Sequence, residues 1–386
     1  MKRPRAVTAT LLLASVSALV ALVLAELILP WLLDLEKVTL TYDPLLGFKG
    51  RSRVKTIWKR EMGDHPRTVV TNQHGFHDVE RHLEKAPGVH RIVFLGDSFL
   101  EAYQVPVEEN FSQLLAARLG TRAGEAVGLG IESLNQGVHG YGLGVHYLSV
   151  RERLAAWHPD SVVLVLFLGN DLHDNFGPVA ASAVPQFRAR GDTLQYEPAP
   201  PYEWTMWLRD HVLARSAFMR LFWMHVVKEN EGIKSFARAM GMVSTPEIPP
   251  ETDPAGDEEM LKVAQLQLAA IAEFLSARRI PLVVYAIPDP FRVREVMENE
   301  TVSKHSAAEE VVLSTLAQHG VPCVYPRDLF ADRTAAGEAM YRNGYGHFTQ
   351  AAHALSARLL EPLLWHYALG AGTPSDTGDE IDTGLD

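Results

Sequence analysis

From residue 91 onward the chain alternates short, nearly all-apolar runs with stretches of helical periodicity, and that rhythm leaves few folds open. Ser161 to Leu168 (SVVLVLFL) is the clearest run. It is too short for a core helix and has no polar alternate positions, as expected of a parallel strand covered on both faces. Arg91 to Leu95, a segment between Ala126 and Asn135, Pro281 to Ile287 and Val321 to Tyr325 read as further strands. Helices are expected between them over Phe111–Leu119, Val145–Trp157, Glu258–Ala277 and Ala307–Gln318, with a last helix over Gln350–Ala368. Strand–helix alternation of this kind builds a parallel sheet with helices on both faces, joined by right-handed crossovers. The fold class is therefore α/β, a doubly wound parallel sheet.

The N-terminus carries a different signal. Lys2, Arg3 and Arg5 precede an uncharged run from Ala6 to Ala25, and apolar character resumes after Glu26 through Leu33. About 20 apolar residues cross a bilayer as a helix. The basic flank belongs on the cytoplasmic side, which directs the rest of the chain outward. A cleaved signal peptide is the competing reading, with small residues around Val23-Leu24-Ala25 before a cut. The run is long for a signal peptide and continues past that point, which favours an uncleaved transmembrane anchor over residues 1–36.

Residues 37–90 read as a connecting segment with strand-like pieces at Val38–Tyr42 and Thr68–Thr71, and no catalytic arrangement stands out in them. The main domain is expected over 91–370. Residues 175–256 interrupt its rhythm with two proline clusters around an aromatic stretch that holds Trp204, Trp207, Phe218, Phe222 and Trp223. An insertion this long has structure or function of its own, as a helical decoration or as a lid beside a site. Residues 371–386 carry Asp376, Asp379, Glu380, Asp382 and Asp386 without a basic residue, which reads as a solvated, disordered tail. A net charge of −11 with no basic stripe argues against nucleic-acid binding. The single cysteine, Cys323, excludes an intrachain disulfide and reads as a small core residue.

The chemistry-bearing residues gather where this fold would place a ligand. Gly96-Asp97-Ser98 follows the first strand, at the carboxyl edge of the sheet. Asn135-Gln136-Gly137-Val138-His139-Gly140 follows the second, and its glycines permit a tight loop. Gly169-Asn170-Asp171 follows the third, where a side-chain amide can donate to a developing oxyanion. His347 stands in the loop before the last helix. Each has an ordinary reading as a turn, a cap or a loop residue, but together they supply a nucleophile, oxyanion donors and a base.

In these four ordered blocks, over residues 91–368, the chain resembles the SGNH (GDSL-type) hydrolases, in particular the membrane-anchored bacterial type. Asn72-Gln73-His74-Gly75-Phe76 also looks like segments that precede the first block there. The resemblance implies a flavodoxin-like fold and a serine esterase or O-acyltransferase with no cofactor. It implies Ser98 as nucleophile, His347 as base, and Gly140 and Asn170 as oxyanion donors. Asp97, Asp171 and Asn343 are candidates for support. The family places an aspartate two or three residues before the histidine, whereas this chain has Tyr345 and Gly344. Asp328 and Asp332 are then alternative acids, and a degenerate domain that binds a glycan or a protein partner is the non-enzymatic reading. The anchor and the aromatic insertion also leave open a lipid-directed hydrolase. The ester substrate, glycan or lipid, and the membrane are the implied partners.

Two other signals stay ordinary. Asp171-Leu172-His173-Asp174 offers closely spaced metal ligands but belongs to the third block, so no metal site is expected. Gly128-Leu129-Gly130 and Gly140-Tyr141-Gly142 lack the third glycine of a dinucleotide fingerprint.

Overall fold

The computed structural model describes residues 4–33, 35–58, 66–174, 184–223, 230, 232–233, 254–298, 306–344 and 346–370. The chain opens with helix α1 (Pro4–Leu32), whose Thr8–Leu32 segment is long and apolar enough to cross a membrane and is exposed over most of its length. Two antiparallel hairpins follow: β1 (Leu40–Asp43) with β2 (Gly47–Gly50), and β3 (Lys55–Trp58) with β4 (Arg67–Val70). The α/β domain then runs β5 (Val89–Gly96), α2 (Ser98–Glu101), α3 (Phe111–Val127), β6 (Gly130–Gly137), α4 (Leu143–Glu152) and β7 (Ser161–Phe167).

The insertion supplies a hairpin, β8 (Gln186–Arg190) with β9 (Thr193–Glu197), and two short helices, α5 (Trp204–Leu208) and α6 (Ala217–Phe222), joined by one π-helical turn. The domain resumes with α7 (Pro254–Ser276), β10 (Leu282–Ile287), α8 (Pro290–Glu298), α9 (Ala307–Gln318), β11 (Cys323–Val324), α10 (Arg327–Ala335) and α11 (Gln350–Leu363). Of these, α8 and α10 had no clear signal in the sequence, because both are short and flank loops rather than long strands. The acidic tail lies outside the described residues.

The five central strands are parallel in the order β11-β10-β7-β5-β6. This is the flavodoxin-like arrangement, with the order reversing between β5 and β7. The apolar runs explain it. Along β7, Val162, Leu164 and Leu166 join one buried cluster, while Val163 and Val165 join the other. Both faces of the strand are thus covered, one by α4 and α7, the other by α3 and α11. Burying each such side chain contributes about 1.5–3 kcal/mol. A one-residue slip of register would exchange the two sets but leave both buried, so neighbouring strands and turns must fix the register as well.

The connecting segment is packed, not loose. Gly50 and Gly75 approach so closely that a Cβ on Gly75 would stand 2.1 Å from the Gly50 carbonyl oxygen, and Gly75 has φ +92°. Only glycine fits both positions. Asn72 closes the turn before Gly75 by accepting from the His74 and Phe76 N–H groups.

Candidate active site

The end of β5 sets the first group. Asp97 caps α2, its carboxylate accepting from the Phe99 N–H at 2.9 Å. Ser98 is therefore the first residue of the helix, where a backbone N–H has no intrahelical acceptor. Helix α2 stops after one turn because Ala102 turns left-handed, with φ 50°.

His347 comes from the other end of the sequence. A bridge between Tyr341 and Phe348 holds the loop, and the Arg342 N–H donates to the His347 carbonyl at 2.9 Å. Thr349 then caps α11 by accepting from the Ala352 N–H. These restraints, with Phe99 packed 5.1 Å from the imidazole centroid, bring His347 Nε2 to 2.9 Å from Ser98 Oγ. A nucleophile and a base within hydrogen-bond distance are the core of an activated-serine site.

Three carboxyl groups sit behind this pair. Asp97 is fully buried; burial pushes its carboxyl up to about 6, against the pull of the Phe99 N–H, His347 and Ser98. Its Oδ2 stands 3.3 Å from Ser98 Oγ, a second and longer acceptor for the one hydroxyl hydrogen that His347 Nε2 faces at 2.9 Å. Asp171 is also fully buried; burial together with Asp97 and Asp174 raises its carboxyl well above the usual range. Its Oδ2 accepts from the Phe167 N–H at 2.8 Å, and its backbone carbonyl accepts from the Leu143 N–H at the start of α4. Burial, then Asp97, pushes Asp174 up to about 7. Asp171 thus ties the β7 loop together, while Asp97 stands beside the Ser98 and His347 side chains.

The remaining expected residues fall as follows. Asn170 follows β7 and donates one amide hydrogen to Asp174 at 2.5 Å, which leaves its second amide hydrogen as a donor. Gly140 is exposed in the β6 loop with φ +79°. That loop lies against α2, since a Cβ on Gly137 would stand 2.3 Å from the Glu101 backbone nitrogen. Asn343 is exposed and left-handed, with φ 51°. Asp328 and Asp332 are exposed on α10, and Asp328 pairs with Arg327 at 2.8 Å. Tyr345 lies outside the described residues.

Ser98 and His347 line one shared pocket. Part of its wall corrects the sequence reading. Residues 37–90 showed no catalytic arrangement, yet Lys37, Thr39, Thr56, Ile57 and Trp58 line the pocket with Glu36. The Lys37 N–H donates to Thr56 Oγ1 at 2.8 Å, and Trp58 packs with Val69 and Tyr103. No periodicity could have revealed this, because the hairpin reaches the site through tertiary packing of Trp58 and Val69 against Tyr103. Glu101 and His139 were also missed. They line the pocket as a pair, with His139 Nδ1 2.8 Å from Glu101 Oε2. The available signal was that Glu101 stands three residues after Ser98, on the same face of one helical turn. Among the described residues, none of the insertion lines the pocket; its hairpin packs on α7 instead. Residues 175–183 and most of 224–253 lie outside the described residues.

Among solved structures, the chain is similar to a lipase/acylhydrolase from Enterococcus faecalis (14% identity, 71% of this chain and 95% of that one, TM-score 0.35). It is also similar to a variant of an acetyl-xylooligosaccharide esterase from Geobacillus Stearmophilus (12% identity, 70% and 91%, TM-score 0.37). A third is a two-domain esterase active on acetylated mannans (10% identity, TM-score 0.37), which matches over 70% of this chain and of which only 47% is covered. A comparison with curated proteins found no match. The family model described as GDSL-like lipase/acylhydrolase matches residues 94–355, from the end of β5 through the other four strands of the central sheet and with Ser98, Gly140, Asn170 and His347 inside it, and the chain belongs to that family.

Proposed function

We propose that this family member is a serine esterase or O-acyltransferase held at the outer face of a membrane by α1. The observation that carries the chemistry is the 2.9 Å approach of His347 Nε2 to Ser98 Oγ in the wall of a shared pocket. His347 takes the Ser98 proton as Oγ attacks the ester carbonyl. The Ser98 N–H, the Gly140 N–H and the second Asn170 amide hydrogen are assigned to the oxyanion. As the tetrahedral adduct collapses, the imidazolium gives its proton to the leaving alcohol, and the acyl group stays on Ser98. Water or a sugar hydroxyl, deprotonated in turn by His347, releases it. Asp97, beside both side chains, favours the imidazolium when ionised.

The pocket wall supports a small acyl ester of a hydroxyl-rich alcohol. Lys37, Thr39, Thr56, Glu101, Gln104 and His139 offer polar partners, and Trp58 and Tyr103 supply aromatic surface. Ile57 adds an apolar surface suited to a short acyl group. An acylated envelope glycan fits this wall and the outward orientation that Lys2, Arg3 and Arg5 favour. Glu36 lines the pocket only four residues after α1 ends at Leu32, so chain reach keeps the wall within about 14 Å of the helix end.

A fluorophosphonate probe on the full chain tests the nucleophile, and an acyl-chain-length series with and without a sugar acceptor tests the substrate. Labelling that survives Ser98→Ala would reject the assignment, and a preference for long acyl chains would reject the glycan ester.

A further inference from the structure

Helix α1 carries one acidic residue in its apolar segment, and that residue is engaged. Glu26 Oε1 accepts from the Ser216 hydroxyl, and its carboxylate accepts from the Ala217 N–H at 2.8 Å and the Phe218 N–H at 3.2 Å. The first turn of α6 is thereby tied to the anchor. A carboxylate in hydrocarbon is costly unless paired with donors. The pairing also fixes a depth. From Thr8 to Glu26 a helix rises about 27 Å, close to the roughly 30 Å of a bilayer's hydrocarbon core. Glu26 therefore marks the outer edge of that core when α1 spans it.

What is tied there bears exposed aromatic residues. Trp204 and Trp207 share one face of α5 and are 54% and 50% exposed, Phe222 on α6 is 42% exposed, and Trp31 near the end of α1 is 87% exposed. Arg215, exposed between the two short helices, adds a cation. Tryptophan at the headgroup level and arginine reaching phosphate are the residues of a membrane interface. The unit is also fixed to the catalytic domain. Asp210, between α5 and α6, is buried and accepts from the Thr41 hydroxyl at 3.0 Å, the Tyr42 N–H at 3.3 Å and the Arg51 guanidinium at 3.1 Å.

We infer that the α5–α6 unit of the insertion lies in the interface of the bilayer that α1 crosses, keyed to it by Glu26, and docks the catalytic domain on the lipid surface. The inference rests on the reading of α1 as a membrane span. Flexible tethering is replaced by a second, rigid contact, and Asp210 passes that restraint to the β1–β2 hairpin beside the pocket wall.

The full chain in lipid nanodiscs tests this, with Trp31→Phe as background and lipids brominated close to the headgroup as quencher. Quenching of tryptophan fluorescence is expected to fall at least about twofold when Trp204 and Trp207 are both replaced by Phe, since interfacial tryptophans dominate that signal. In the Trp31→Phe background, Glu26→Ala is expected to lower it too while the chain stays in the membrane through carbonate washing. Fluorophosphonate labelling confirms that each variant is folded. Trp204 and Trp207 quenched by aqueous iodide but not by brominated lipid, in a chain that resists carbonate, would overturn the inference and leave that face for a protein partner. Release by carbonate would instead overturn the membrane span on which it stands.

Discussion

Ser98 Oγ and His347 Nε2 lie 2.9 Å apart, although 249 residues separate them in the chain. The two loops that carry them are held independently, one by the Asp97 cap and the other by the Tyr341–Phe348 bridge. The pair is therefore preorganised, and its removal should affect rate without affecting folding.

Ser98→Ala is expected to lower kcat for a short acyl ester by about 10⁴-fold or more, because nucleophile and base act as a unit. His347→Ala should give a comparable loss. The Tm of both variants should stay near that of the parent chain. Activity close to wild type in either would remove that residue from the chemistry.

Asn170→Ala is expected to cost about 10²–10³ in kcat, the usual loss for one oxyanion donor. KM should change far less, since the donor acts on charge that develops in the transition state. A change confined to KM would place Asn170 in substrate binding and not in oxyanion stabilisation.

The Glu101–His139 pair lines the same pocket as Ser98 and His347. His139→Gln should raise KM by up to about tenfold with kcat nearly unchanged, as expected when a polar contact worth about 0.5–1.5 kcal/mol is lost from both ground and transition states. Steady-state kinetics separate the two constants, and an unchanged KM would show that this wall does not meet the substrate.

Stability should depend on pH through Asp174, a half-buried acid beside Asn170. Asp174 has its folded carboxyl pushed up to about 7 from an ordinary value of 3.8. Below the lower value both folded and unfolded chains hold the proton, and the contribution is fully present. As pH rises through about 7, the folded chain must bury a charge and the contribution is lost. Asp174→Asn keeps an acceptor for Asn170 and removes that charge. It should raise Tm at pH 8 and leave it unchanged at pH 4, with each kcal/mol regained worth roughly 2–4 °C. Equal shifts at both pH values would mean that the carboxyl is not charged at the expense of folding.

The sequence by itself determined the sheet and the edge of it at which the candidate residues lie. Runs such as Ser161–Leu168 can be satisfied only when both faces are covered, so a doubly wound sheet followed from local composition. The ends of β5, β6 and β7 then had to meet at the edge where the strand order reverses, which placed Ser98, Gly140 and Asn170 at one side of the molecule. The family motifs named His347 in the same way. Tertiary structure alone decided the rest. Trp58 and Thr56 reach the pocket because a hairpin packs on Tyr103, and Glu26 finds the first turn of α6 across 190 residues of chain. Neither contact leaves a periodic trace. Each depends on one buried cluster or one carboxylate with donors, and no local rule relates such a residue to a partner so distant in the chain.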